Sequence, residues 1–277
     1  MNLKKVFLFI SIISAIDADA SRIDTFYVKS QRMHKSIPNL VIVPMNYAVY
    51  NGRLPVIYLL HGAGGDYTSW STIADLGHYA DQYNLILVCP DGGTTSWYFD
   101  SPVDPTMKYE TYITSELVPA VDSQYHTLAT KNGRAITGLS MGGHGGLYLG
   151  FRHQDVFGAC GSMSGGVDIR PFPNNWDIAK RLGTLKEHPG NWEKNTVINM
   201  LNLLGANPPK IIIDCGTGDF FYTVNKNLHT KLLTLNIPHD YTERPGVHDS
   251  AYWKNAIKYQ MLYFSDVFEQ NRNSIEK

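Results

Sequence analysis

Residues 134–149 read RAITGLSMGGHGGLYL, and the order of residue types along that stretch decides the fold. Residues 134–137 are strand-like, with Ile136 and Thr137 β-branched. Gly138-Leu139-Ser140-Met141-Gly142 follows as Gly-x-Ser-x-Gly, and Leu147, Tyr148 and Leu149 continue as a helix. A serine between a strand and a helix sits on a strained turn, and flanking glycines remove side chains that would collide there. The turn exposes the hydroxyl. The helix behind it directs the positive end of its dipole toward negative charge developing nearby. This context predicts a nucleophilic serine rather than an ordinary turn hydroxyl.

Working outward, other apolar runs end in the same abrupt way. Val56-Ile57-Tyr58-Leu59-Leu60 stops at His61-Gly62, residues 85–88 stop at Cys89-Pro90-Asp91-Gly92-Gly93, and residues 211–213 run into Asp214 and a glycine-rich turn. Residues 40–43 read as an early strand and residues 239–243 as a late one. Short continuous apolar runs are what strands buried on both faces require. Between them, Tyr109, Tyr112, Ile113, Leu117 and Val121 recur at helical steps within residues 106–125, and residues 220–235 and 249–268 behave alike. Strands alternating with helices predict a mostly parallel central sheet covered by helices on both faces. The polar stretch 166–208 breaks the alternation and reads as an excursion over the edge or top of the sheet. There is no internal repeat, heptad pattern or convincing linker, so residues 21–277 read as one domain.

A serine hydroxyl needs a base, and the base needs an acid to orient it. In a strand–serine–helix enzyme of this kind they follow in the order acid, then histidine. Asp214 and Asp219 both lie after residues 211–213. Asp214 directly continues the strand, whereas Asp219 stands on the loop beyond it; this position favours Asp219, with Asp214 a turn carboxylate. Three histidines come later. His229 lies inside a helical segment, His239 begins a strand-like one, and His248 sits in the loop Pro245-Gly246-Val247-His248-Asp249. A loop histidine at the top of the sheet can reach the serine, which favours His248 as the base over His229 and His239. Oxyanion donors are expected from the N–H of Met141, next to the serine, and from that of Ala63 in His61-Gly62-Ala63-Gly64-Gly65. The latter loop lacks the Gly-Lys-Ser/Thr ending and the spacing of a nucleotide-binding loop.

Together, Leu59–Gly65, Gly138–Gly143, Cys215-Gly216-Thr217-Gly218-Asp219 and His248-Asp249-Ser250-Ala251-Tyr252-Trp253 resemble the esterase D-like family of α/β hydrolases. That family includes tributyrin-type esterases, feruloyl and acetyl xylan esterases, S-formylglutathione hydrolases and antigen 85-type mycolyltransferases. The resemblance runs from about residue 25 to residue 265. It implies an α/β-hydrolase fold, with Ser140 as nucleophile, Asp219 as acid and His248 as base. It also implies Met141 and Ala63 as oxyanion donors, and no metal or cofactor. Ala63 and Gly218 depart from the family, which often carries a larger apolar and a polar residue there. Trp97 and Tyr98, in a stretch similar to one near the family's pocket, and Trp253, beside His248, are candidate substrate contacts. An acyltransferase or an S-formylglutathione hydrolase-like thioesterase would use the same triad, and a catalytically idle glycan-binding relative would not need it.

Composition narrows the substrate. With 24 Lys+Arg against 25 Asp+Glu, the chain lacks the positive balance with which proteins neutralise nucleic-acid phosphates. A neutral partner, a small ester or an acylated oligosaccharide, fits better. Lys4 and Lys5, the apolar run of residues 6–16 and Ala18-Asp19-Ala20 have the layout of a secretory signal peptide cut after Ala20. The expected product is a secreted or periplasmic enzyme with no stable membrane association once the leader, residues 1–20, is removed. Cys89, Cys160 and Cys215 lie in or beside apolar runs and read as buried packing residues, and no spacing suits a metal.

Overall fold

The computed structural model describes residues 21–275, so the expected leader lies outside the described residues. Eight strands form: β1 (Arg22–Ser30), β2 (Lys35–Val43), β3 (Val56–Leu60), β4 (Ile86–Pro90), β5 (Arg134–Gly138), β6 (Ala159–Met163), β7 (Lys210–Gly216) and β8 (Asp240–Arg244). They make a single sheet in the order β1-β2-β4-β3-β5-β6-β7-β8. The pairings β1–β2 and β2–β4 are antiparallel, and all others are parallel.

Two of these strands escaped the sequence reading, for different reasons. Strand β1 is an edge strand that leaves Ile23 and Tyr27 exposed, and Arg22, Asp24, Thr25 and Lys29 interrupt its apolar residues. Strand β6 reads Ala-Cys-Gly-Ser-Met, small residues packed between helices on both faces, so burial there is not advertised by bulk.

The helices are α1 (Ser69–Ile73), α2 (Leu76–Tyr83), α3 (Tyr109–Thr111), α4 (Val118–Gln124), α5 (Met141–Arg152), α6 (Ile178–Leu182), α7 (Pro189–Lys194), α8 (Tyr222–Thr234) and α9 (Ser250–Ile275). The helix expected over residues 106–125 is divided: a π-helical turn, Tyr112–Leu117, joins α3 to α4. Pro119 supplies the reason, because it has no N–H to return to the carbonyl four residues earlier and its ring crowds that carbonyl.

Alternate residues of the central strands feed two cores. Val56, Tyr58, Leu60, Ile136, Ile211 and Ile213 pack on the side of α5 and α8. Ile57, Leu59, Leu87, Ala135 and Ile212 pack on the side of α2 and α9. Removing the Val, Leu and Ile side chains among these from water contributes roughly 1.5–3 kcal/mol each, which anchors the sheet on which the site stands. The stretch expected to be an excursion is more structured than its polarity suggests. It carries α6, α7 and two 3₁₀ turns, and buries Ile178, Leu182, Trp192 and Val197 in the α5-side core.

Strand order also locates a crevice. From β3 the chain steps to β4 on one side, then returns to place β5 on the other side of β3. Loops leaving the carboxyl ends of β3 and β5 therefore diverge, which opens a crevice at that switch point. Leu60 and Gly138, the last residues of the two strands, are register partners.

Candidate active site

Ser140 stands at this switch point, between β5 and α5, with φ 56° and ψ −117°. That backbone conformation is costly for a residue with a side chain and persists only where surroundings enforce it. Here the Ser140 N–H donates to the Met163 carbonyl at 2.9 Å, and the His144 N–H donates to the Ser140 carbonyl at 3.0 Å. Glycine is a steric necessity at two neighbours. A Cβ at Gly138 would lie 2.5 Å from the Leu60 carbonyl oxygen, and one at Gly142 only 2.2 Å from it.

His248 faces this serine from the loop between β8 and α9. Its Nε2 lies 2.9 Å from Ser140 Oγ, and its Nδ1 lies 2.8 Å from Asp219 Oδ2. An ionised carboxylate can only accept, so Nδ1–H donates to Asp219 and Nε2 is left to accept the serine proton. Asp219 is held in turn by the Phe221 N–H, which donates to Oδ1 at 2.7 Å. The imidazole sits among aromatic rings, with centroids 4.2 Å from Phe220 and 4.9 Å from Trp253.

The other candidate acid and bases lie elsewhere. Asp214 is buried and ion-paired with Arg244 at 2.7 Å. His239 hydrogen-bonds to His229 at 2.8 Å, and His229 stacks on Tyr241 at the sheet edge. Cys89, Cys160 and Cys215 are buried and free.

Ala63 shares a cleft of about 520 Å³ with Ser140 and His248. Among the described residues, neither the Ala63 N–H nor the Met141 N–H donates to a protein acceptor. Unpartnered N–H groups beside a serine are what an incoming oxyanion needs. The Ala63 loop is held by His61, whose role the sequence did not reveal. The Gly92 N–H donates to His61 Nε2 at 2.8 Å, and Nδ1–H then donates to the Gly62 carbonyl at 2.8 Å. Burial pushes the His61 pKa down, which favours the neutral ring that this pair of bonds requires.

Of the candidate substrate contacts, only Trp253 lines the cleft. Trp97 and Tyr98 are corrected by their burial, 1% and 0% exposed. Trp97 donates its indole N–H to the Trp176 carbonyl at 3.1 Å, and Tyr98 donates its hydroxyl to the His61 carbonyl at 3.1 Å. They support the cleft from beneath. Two further rings reach it, Trp176 and Phe220, stacked with centroids 5.6 Å apart and planes 21° apart. Phe220 directly follows Asp219 and could have been found by that adjacency; Trp176 has no motif around it.

Among the described residues lining the cleft there is no Lys, Arg, Asp or Glu. A larger cavity of about 770 Å³ lies elsewhere, around Glu110, Tyr148 and Arg152. Its buried carboxylate is fully occupied by Tyr148, Arg152 and His153, and none of the Ser140 group borders it. Among the described residues, no group of three or more His, Cys, Asp or Glu is placed to hold a metal ion, and no helix is long and apolar enough to cross a membrane.

Sheet order, elbow and helices on both faces define an α/β hydrolase, and solved structures agree. A ferulic acid esterase superposes with a TM-score of 0.77 at 26% identity, over 89% of this chain and 99% of that one. The model of the Esterase family, described as "Putative esterase", matches residues 30–264, and the chain belongs to that family. It is 26% identical to an acetyl esterase of Caldicellulosiruptor saccharolyticus over 261 residues, 87% of this chain and 97% of the relative. It is 33% identical to Esterase Rv1288 of Mycobacterium tuberculosis over 135 residues, 47% of this chain but 29% of that longer protein.

Proposed function

We propose that this chain is a serine carboxylesterase that hydrolyses short acyl or hydroxycinnamoyl esters carried on carbohydrates. The observation that carries the reading is His248 bridging Ser140 and Asp219 at 2.9 and 2.8 Å. In this mechanism His248 Nε2 takes the proton as Ser140 Oγ attacks the ester carbonyl. Asp219 keeps the ring in the right tautomer and offsets its charge. The N–H groups of Met141 and Ala63 hold the oxyanion. Collapse expels the alcohol, protonated by His248, and leaves an acyl-serine. Water, deprotonated by the same imidazole, then releases the acid.

The lining of the cleft supports this choice of substrate class. Its aromatic walls, Trp176, Phe220 and Trp253, suit the flat face of a phenolic acid or the apolar face of a sugar. Among the described residues the cleft lining offers no Lys or Arg to the carboxylates of a glutathione thioester, which disfavours that substrate. The acetyl esterase and ferulic acid esterase relatives bear names in keeping with this reading.

The test compares kcat/KM on acetylated and feruloylated xylo-oligosaccharides, a short synthetic ester and S-formylglutathione. We expect the carbohydrate esters to lead. A preference of ~100-fold for the thioester, about 2.7 kcal/mol of transition-state discrimination, would sink the proposal. We further propose export, with cleavage after Ala20; sequencing the N-terminus of protein from its native host should find Ser21 or a close neighbour first.

A further inference from the structure

Asp214 is a buried carboxylate that the proposed chemistry does not use, and both its oxygens are engaged by groups flanking His248. Oδ2 pairs with Arg244 Nη2 at 2.7 Å, and Oδ1 accepts the Tyr252 hydroxyl. Arg244 is the last residue of β8 and Tyr252 lies in the first turn of α9. Each stands four positions from His248, one before and one after. The loop that carries the imidazole is thus tied at both ends to one carboxylate on β7.

We propose that Asp214 is a positioning residue, which sets the reach of His248 toward Ser140 by fixing both flanks of its loop. The proposal rests on the reading of His248 as the base. Further contacts converge on the same loop. Gly218 N–H donates to the Gly246 carbonyl at 2.9 Å, and Thr217 N–H donates to the Arg244 carbonyl at 2.9 Å, so the segment bearing Asp219 is registered against the segment bearing His248. The Tyr252 ring packs against Gly246, where a Cβ would fall 2.2 Å from Cδ2. The Arg244 guanidinium is backed by the Tyr259 ring at 4.2 Å. The Asp214 side chain is 2% exposed, so water offers no replacement for a lost bond. With the tethers cut, the loop keeps its covalent ends and backbone bonds but loses the two side-chain bonds that set its height over Ser140. An imidazole displaced by about 1 Å still lies in the site, but from a starting distance of 2.9 Å it no longer meets the serine proton at hydrogen-bonding distance.

The test uses the full-length chain with Tyr252→Phe and Asp214→Asn. Three quantities are measured: kcat and KM on a short chromogenic acetyl ester, the second-order rate of Ser140 labelling by a fluorophosphonate probe, and Tm. We expect Asp214→Asn to lower kcat by on the order of 10–100-fold, and Tyr252→Phe by about 10-fold. KM should stay within about twofold of wild type, and the labelling rate should fall in step with kcat. Glu110→Gln, far from the loop, is the control for lost stability and should keep kcat per folded molecule. Should Asp214→Asn fail to fold, Tyr252→Phe, which deletes one hydroxyl, decides alone. Folded variants with wild-type kcat and labelling rate, or with losses confined to KM, would overturn the proposal. A wild-type chain inert to the probe is a different result: it would overturn the serine-hydrolase reading on which the inference rests.

Discussion

The two walls of the cleft are built by opposite means. On one side stand the Ser140 elbow and the Ala63 loop, short turns whose shape follows from glycines at fixed positions and from two adjacent parallel strands. On the other side stand Trp176 and Phe220, brought together from segments 44 positions apart. Trp176 has φ 47° and its neighbour Asp177 φ 57°, an unfavourable pair for side chains with a Cβ. The Trp97 indole N–H and the Thr95 hydroxyl hold that turn in place. In the proposed reaction the first wall carries the groups that act on the ester carbonyl. The second has no such groups and differs in kind: it offers ring faces to whatever flanks that carbonyl. Bond-breaking and selection should therefore separate by mutation.

The sharpest separation is expected at the nucleophile. Ser140→Ala should lower kcat by on the order of 10⁶ while the protein stays folded. A folded variant within tenfold of wild type would break the assignment of chemistry to this wall. Next comes the acid. Asp219→Asn should cost roughly 10⁴ in kcat, far more than Asp214→Asn, because only Asp219 bonds to the imidazole itself. If Asp214→Asn proves the more damaging at equal stability, the two carboxylates have been assigned the wrong way round.

The aromatic wall should respond differently. Trp176→Ala is expected to raise KM for a feruloyl ester by about tenfold, some 1.4 kcal/mol, and for an acetyl ester by no more than about threefold. Equal losses on both esters would mean that the ring serves structure rather than selection.

The smallest effect on catalysis is expected at Glu110, which should matter for stability alone. Burial by itself would raise its pKa, but bonds from His153, Arg152 and Tyr148 outweigh that and bring it down to about 2. A carboxylate with a depressed folded pKa stabilises the protein above its unfolded value, here 4.5, and loses that contribution as pH falls toward 2. Glu110→Gln should thus cost about 3 kcal/mol at pH 7 with kcat unchanged. Denaturant melts of the two proteins should converge between pH 4.5 and 2. His144, 0% exposed and lowered by burial to about 4, has the opposite charge type but the same sense. The unfolded chain takes up its proton from about pH 6.5 downward, so stability drains between pH 6.5 and 4.

By itself the sequence determined the parts of this protein that depend on local sterics and on burial of bulky side chains. Strand β3 coincides with its apolar run, β5 and β7 enclose theirs, and β4 is displaced by only one or two residues. The strained serine was legible because few residue types other than glycine fit around such a turn. The loop positions of Asp219 and His248 were legible because each follows a strand that ends abruptly. Only the tertiary structure decided what depends on which distant surfaces meet. It sank Trp97 and Tyr98 beneath the cleft, raised Trp176 into it, and made His61 a bridge between two loops. It also turned Asp214 from a turn carboxylate into a clasp on the His248 loop. An aromatic ring or a carboxylate has no local signature of its role, because the same side chain packs, stacks or pairs according to neighbours that the chain brings from far away.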